Sequence, residues 1–112
     1  MNDPGTISRQ ALSETAWLVA LTGEHDLATA PEVRRAIDAA ARAGSTVVLD
    51  LSAVMFIDSS VIGEIVEGVR EGKLVVVAVP GTEPRRVLDI VGAGHVVTLV
   101  DDREDALAKL EP

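Results

Sequence analysis

Residues 47–63, VVLDLSAVMFIDSSVIG, constrain the fold more than any other stretch of the chain. An apolar run (Val47, Val48, Leu49) leads into Asp50, and a short link carries Val54, Met55, Phe56 and Ile57 to an abrupt polar triplet, Asp58-Ser59-Ser60. Ile62, Ile65, Val66 and Val69 then recur at i, i+3, i+4 and i+7, the spacing of one apolar helix face. Opposite them, at about 100° per residue, fall Ser60, Gly63, Glu67 and Arg70, with Ser59 at the boundary on the Gly63 side. A strand that hands over to a helix and then to another strand implies a right-handed crossover and a parallel pair.

The remaining chain repeats that alternation. Met1–Gly5 reads as a frayed tail, and Thr6–Leu12 as a short edge strand. After the polar turn Ser13-Glu14-Thr15, the run Trp17–Leu21, closed by Gly23, suggests a strand buried on both faces and hairpinned to the first. Glu24–Thr29 is expected to be a loop delivering a helix that Thr29 can cap, with Pro31 in its first turn and Val33, Ile37 and Ala40 facing inward. Asp38 and Arg42 stand in the acid-first i,i+4 order of a helix-surface ion pair.

Gly44 stops that helix before the strand Thr46–Leu51, and Gly72 stops the second helix before the strand Lys73–Val79. Pro84 opens a third helix whose inner face is Val87, Leu88 and Val91, closed by Gly92 and Gly94. A strand at Val96–Val100 and a helix at Arg103–Leu110, capped by Asp102 and packed through Ala106, Leu107 and Leu110, complete the order ββαβαβαβα. This predicts an α/β domain spanning 1–112, with about five strands in a mixed, mostly parallel sheet and four helices. In such sheets functional groups gather at the carboxyl ends of the strands, so Asp26 and Ser59 are candidates to lie close together.

Composition narrows the classes of function. The 112 residues carry 18 acidic against 10 basic side chains, a net charge of −8, which opposes binding to nucleic-acid phosphates or anionic lipid. No apolar run approaches the ~20 residues of a membrane span, and MNDPGTISRQ lacks the basic start and apolar run of a signal peptide. A cytoplasmic location is expected. With no Cys, disulfides, thiolate metal sites and cysteine nucleophiles are excluded.

The triplet has two readings. Asp, Ser and Ser before a helix are ordinary capping residues. A helix N-terminus also favours negative charge, so a phosphate on one of the hydroxyls would be accommodated there. A nucleophile elbow needs small residues two before and two after its serine; Ser59 has Ile57 and Val61, and Ser60 has Asp58 and Ile62. His25 and His95, the conceivable bases, read as surface or loop residues. Asp50 as a phosphoacceptor would need a lysine near the end of the last strand, and the only late lysine is Lys109. Asp26, Asp50 and Asp58 lack the local spacing of a metal loop. No cofactor or metal is expected.

The stretch LDLSAVMFIDSSVIG resembles the signature of the STAS family, which includes bacterial anti-sigma factor antagonists. LTGEHDLATAPEVRRAI upstream and RRVLDIVGAGHVVTLVDDREDAL downstream are similar to the family's flanking elements, so the likeness covers about 16–110. The resemblance implies a non-enzymatic switch protein. Its partner would be an anti-sigma factor with ATP-dependent serine kinase activity, which it binds when unphosphorylated and so releases sigma factor. It further implies phosphorylation at Ser59, the serine directly after Asp58, with Asp26 and Asp58 as the neighbouring acidic positions.

Ser60, Gly63 and Glu67 would extend that surface, and a serine phosphatase would be a further partner. The sequence departs from the family pattern at Val61, where Gly is usual; the helix period places Val61 at the edge of the buried face. A STAS module acting as a scaffold or transport regulator, without regulated phosphorylation, remains the alternative. A monomer and a weak dimer are both compatible with the sequence.

Overall fold

The computed structural model describes residues 5–68 and 73–110, so the tail before Gly5 and the expected roles of Val69, Arg70 and Gly72 lie outside the described residues. Five strands form one sheet in the order β1-β2-β3-β4-β5. They are β1 (Thr6–Ala11), β2 (Ala16–His25), β3 (Thr46–Ile57), β4 (Lys73–Val77) and β5 (Thr98–Val100). β1 pairs antiparallel with β2, and every other pair is parallel. The helices α1 (Ala30–Ala43), α2 (Ser59–Gly68), α3 (Glu83–Ile90) and α4 (Arg103–Ala108) follow β2, β3, β4 and β5, as the alternation requires.

Strand parity divides the core into two layers. Val19, Leu21, Val47, Leu49, Leu51 and Val76 point to the face covered by α1, α2 and α3, which contribute Val33, Ile37, Val61, Ile65 and Leu88. Leu18, Val48, Val75 and Val77 point to the opposite face, where α4 places Ala106. Both faces of β2, β3 and β4 are thus buried, which accounts for their unbroken apolar runs.

Two expected boundaries were wrong, for one reason. β2 does not stop at Gly23 but runs to His25, so Glu24 and His25 are strand residues rather than loop. The expected link at Val54–Ile57 is the second half of β3. These segments pair with each other through two register shifts, each inserting one extra residue into β3: Ala20 faces Asp50 but Thr22 faces Ala53, and Gly23 faces Val54 but Glu24 faces Phe56. Each shift is a bulge, which breaks the two-residue alternation of a strand. Burial in this half of β3 therefore falls on Leu51, Val54 and Ile57.

Smaller departures follow from packing. Asp38 pairs with Arg34 on the preceding turn, at 3.2 Å, instead of with Arg42. Val91 is exposed, because α3 ends at Ile90 and Gly92 turns the chain at φ 72° into a short 3-10 turn, Ala93–His95. Val96 is likewise exposed and precedes β5. β4 stops at Val77, though buried Ala78 still donates its amide to the Val100 carbonyl. α4 ends at Ala108, so Ala106 is buried while Leu107 is exposed; Asp102 caps it as expected, accepting the Asp105 amide at 2.8 Å.

Candidate functional site

The handover from β3 to α2 is built around Asp58. Its carbonyl accepts the first helical bond, from the Ile62 amide at 3.1 Å. Its Oδ1 accepts the Ser60 and Val61 amides at 3.0 and 3.3 Å, satisfying donors that a helix N-terminus otherwise leaves unpaired. Capping therefore falls to this carboxylate rather than to the serines. Ser59 opens α2 and is exposed, and Ser60 is half-buried. Neither hydroxyl takes part in a hydrogen bond among the described residues.

The second carboxylate oxygen of Asp58 reaches across the sheet edge. Oδ2 accepts the Leu27 amide at 3.2 Å, and the Asp58 amide donates to the His25 carbonyl at 3.3 Å. The β2–α1 loop is thereby fastened to the start of α2. Within that loop Asp26 is exposed; its Oδ1 accepts the Ala28 amide at 2.9 Å and its carbonyl accepts the Thr29 and Ala30 amides. Of the expected proximity of Asp26 and Ser59, the structure shows that their neighbours Leu27 and Asp58 are bonded to each other.

Thr29 occupies the cap position of α1 without a side-chain capping bond. Its hydroxyl is engaged instead by the Asp26 amide at 3.2 Å and by Nδ1 of His25 at 3.1 Å. His25 is not a surface residue: it is fully buried, with Nε2 3.0 Å from the Thr22 carbonyl. Gly5 lies so close above the ring that an added Cβ would sit 2.7 Å from Cε1. His95, by contrast, is exposed at the end of the 3-10 turn.

Along α2, Gly63 and Glu67 are exposed beyond Ser59, and a Cβ on Gly63 would meet nothing within 4 Å. Glu67 belongs to a cluster centred on Arg34, whose Nη1 lies 3.3 Å from Glu64 and 3.9 Å from Glu67. Hydrogen bonding to Asp38, with support from Glu64, holds the Arg34 guanidinium above its ordinary pKa against the opposing effect of burial. Nothing in the local sequence pairs Arg34 with Glu64, 30 positions away; only the packing of α1 beside α2 brings them together. Val61, expected at the edge of the buried face, is fully buried.

Asp50 lies apart from this site, on the α4 face, buried and bound to Nε and Nη2 of Arg103 and to the Ser52 amide. Burial pushes its carboxyl up, but the Ser52 and Arg103 hydrogen bonds and the guanidinium charge outweigh it, and its pKa falls below the ordinary value. Among the described residues no group of three or more His, Asp and Glu side chains is placed to hold a metal. No helix among them is long and apolar enough to cross a membrane.

An exposed serine at the start of a helix and an aspartate cap shared with the neighbouring loop stand at one edge of a mixed five-stranded sheet in a small α/β domain. The chain belongs to the STAS domain family, whose model matches residues 11–106. It resembles an anti-sigma factor antagonist from Mycobacterium paratuberculosis, with a TM-score of 0.84 and 27% identity, covering 98% of each chain. The fold is shared with the anti-sigma factor antagonist SpoIIAA in its unphosphorylated form, at a TM-score of 0.70 and 20% identity over 93% of this chain and 96% of that one. TM1081 from Thermotoga maritima matches at a TM-score of 0.74 and 19% identity over 93% of both chains. Comparison with curated proteins finds no match.

Proposed function

We propose that this protein is an anti-sigma factor antagonist that acts in the cytoplasm and is switched by phosphorylation of Ser59. The observation that carries the reading is the exposed Ser59 at the N-terminus of α2, beside a carboxylate already committed to capping, in a chain resembling an antagonist over its whole length. SpoIIAA, which shares the fold, has been solved in both unphosphorylated and phosphorylated forms. The partner on this reading is an anti-sigma factor with ATP-dependent serine kinase activity, and a serine phosphatase resets the switch. The protein itself performs no catalysis. Asp26, Asp58, Ser60, Gly63 and Glu67 surround the phosphoacceptor on the docking surface.

The physics of such a switch is asymmetric. A phosphoserine adds about −1.5 to −2 charges at neutral pH, and in the free protein the start of α2 accommodates them. In a complex the same group must lose its hydration, with Asp58 and Asp26 adding repulsion. A penalty of about 3–4 kcal/mol weakens binding several hundred-fold.

The test is incubation with the co-purifying ATP-binding partner, read by mass spectrometry and a binding assay. The unaltered chain and Ser60→Ala are expected to take phosphate at Ser59. Ser59→Ala is expected to bind without accepting phosphate, and Ser59→Asp to stay folded but bind poorly. Phosphate at Ser60, or equal affinity of the modified and unmodified forms, overturns the switch.

A further inference from the structure

We propose that His25 is the positioning residue of this site, and that it acts through the β2–α1 loop rather than by touching any ligand. The inference deepens the reading of Ser59 as phosphoacceptor and rests on it for its purpose, though not for its test.

An imidazole with no exposure is unusual at the rim of a functional turn, and this one has a partner for each nitrogen. The Thr22 carbonyl only accepts, so Nε2 carries a proton and donates to it. In the neutral ring Nδ1 is then the acceptor, and the Thr29 hydroxyl, whose one proton lies between Nδ1 at 3.1 Å and the Asp26 carbonyl at 3.3 Å, is its donor. The oxygen of Thr29 in turn accepts the Asp26 amide at 3.2 Å. The ring thus links Thr22 of β2 to the loop between Asp26 and Thr29.

The next residue of that loop, Leu27, gives its amide to Asp58, and Asp58 gives its own amide to the His25 carbonyl. The circuit runs from ring to Thr29, to loop, to Asp58, and back to His25. It closes around the carboxylate whose other oxygen caps α2 beside Ser59. An apolar side chain of similar size would fill the space but leave Thr22 and Thr29 without these partners. The buried ring orients Asp58, and through Asp58 it sets how the Ser59 turn is presented.

The two nitrogens can be separated by substitution. The amide group of Asn overlays Nδ1 and can still meet Thr29; that of Gln overlays Nε2 and can still meet Thr22; Leu meets neither. Long-range proton–nitrogen NMR on the unaltered protein is expected to show a single Nε2–H tautomer. Relative to the Val48 and Val76 amides, amide hydrogen exchange at Leu27 is expected to be about fivefold faster or more in His25→Leu and His25→Gln, and to keep its unaltered ratio to them in His25→Asn.

An Nδ1–H tautomer overturns the proposal, as does a Leu27 rate equal in all variants. So does acceleration of Leu27 in step with Val48 and Val76 in all three, since that marks a ring needed only for packing. These measurements use no partner, so they stand or fall separately from phosphorylation. If Ser59 of the unaltered chain takes no phosphate, the switch reading fails while the loop result remains.

Discussion

At the residue scale, Val61 separates what periodicity conveys from what packing decides. The helix period placed it at the border of the inner face, yet it is fully buried beneath the Asp58 cap. Asp58, which caps the Val61 amide, is itself bonded to Leu27 and to His25 of β2, and no local pattern encodes that seating of the first turn of α2. Val61→Gly, which restores the residue usual in the family, is therefore expected to destabilise the fold by about 2–3 kcal/mol through lost burial and a looser helical turn. Urea denaturation checks this: the midpoint should fall with the slope unchanged. The neighbourhood of the Asp26 loop and the Asp58 turn was legible because both follow apolar strands that end on the same edge of the sheet. His25 was not, since a lone histidine after Gly-Glu gives no hint of burial.

At the element scale, the hidden half of β3 shows why a strand can pass for a link. Apolar residues at Leu51, Val54 and Ile57 recur every third position, a spacing that fits neither an alternating strand nor a helix face. Two bulges create it, and together they restore phase, so Ile57 returns to the layer that holds Leu51. The segment behaves like a reading frame: losing one residue between Leu51 and Phe56 would turn Ile57 outward and Asp58 away from Leu27.

The two glycines of α2 offer a direct test of how that helix is seated. A Cβ at Gly63 meets open space, whereas one at Gly68 would lie 2.9 Å from Cγ2 of buried Ile37. Gly63→Ala is expected to stabilise by about 0.5–1 kcal/mol through helix propensity alone. Gly68→Ala is expected to destabilise by about 1–2 kcal/mol by forcing α1 and α2 apart. Thermal unfolding should move the two variants in opposite directions, with Gly63→Ala also weakening partner binding if that surface docks as proposed.

At the scale of the whole molecule, the two faces of the sheet are held differently. Three helices cover one; the short α4 covers the other and is fastened by Arg103 to Asp50, 53 residues earlier in the chain. Because the folded-state pKa of Asp50 is depressed, its contribution is present above the unfolded carboxylate value of about 4 and is lost as pH falls through the folded value. Arg103→Gln is expected to cost about 1–2 kcal/mol at neutral pH, discounted for the half-exposed guanidinium. The gap between variant and parent should begin to narrow in urea titrations as pH falls below about 4 and close only below the depressed folded-state value of Asp50.

The strand order has a consequence for how the chain is made. Each strand lies beside the one that precedes it in sequence, from β1 to β5. No strand has to slot between two already in place. A chain leaving the ribosome N-terminus first can lay each new strand on the edge left by the last, with the helix between them closing over the layer just formed. The Ser59 turn, which belongs to the third strand and its helix, can therefore be assembled before the last two strands have been synthesised.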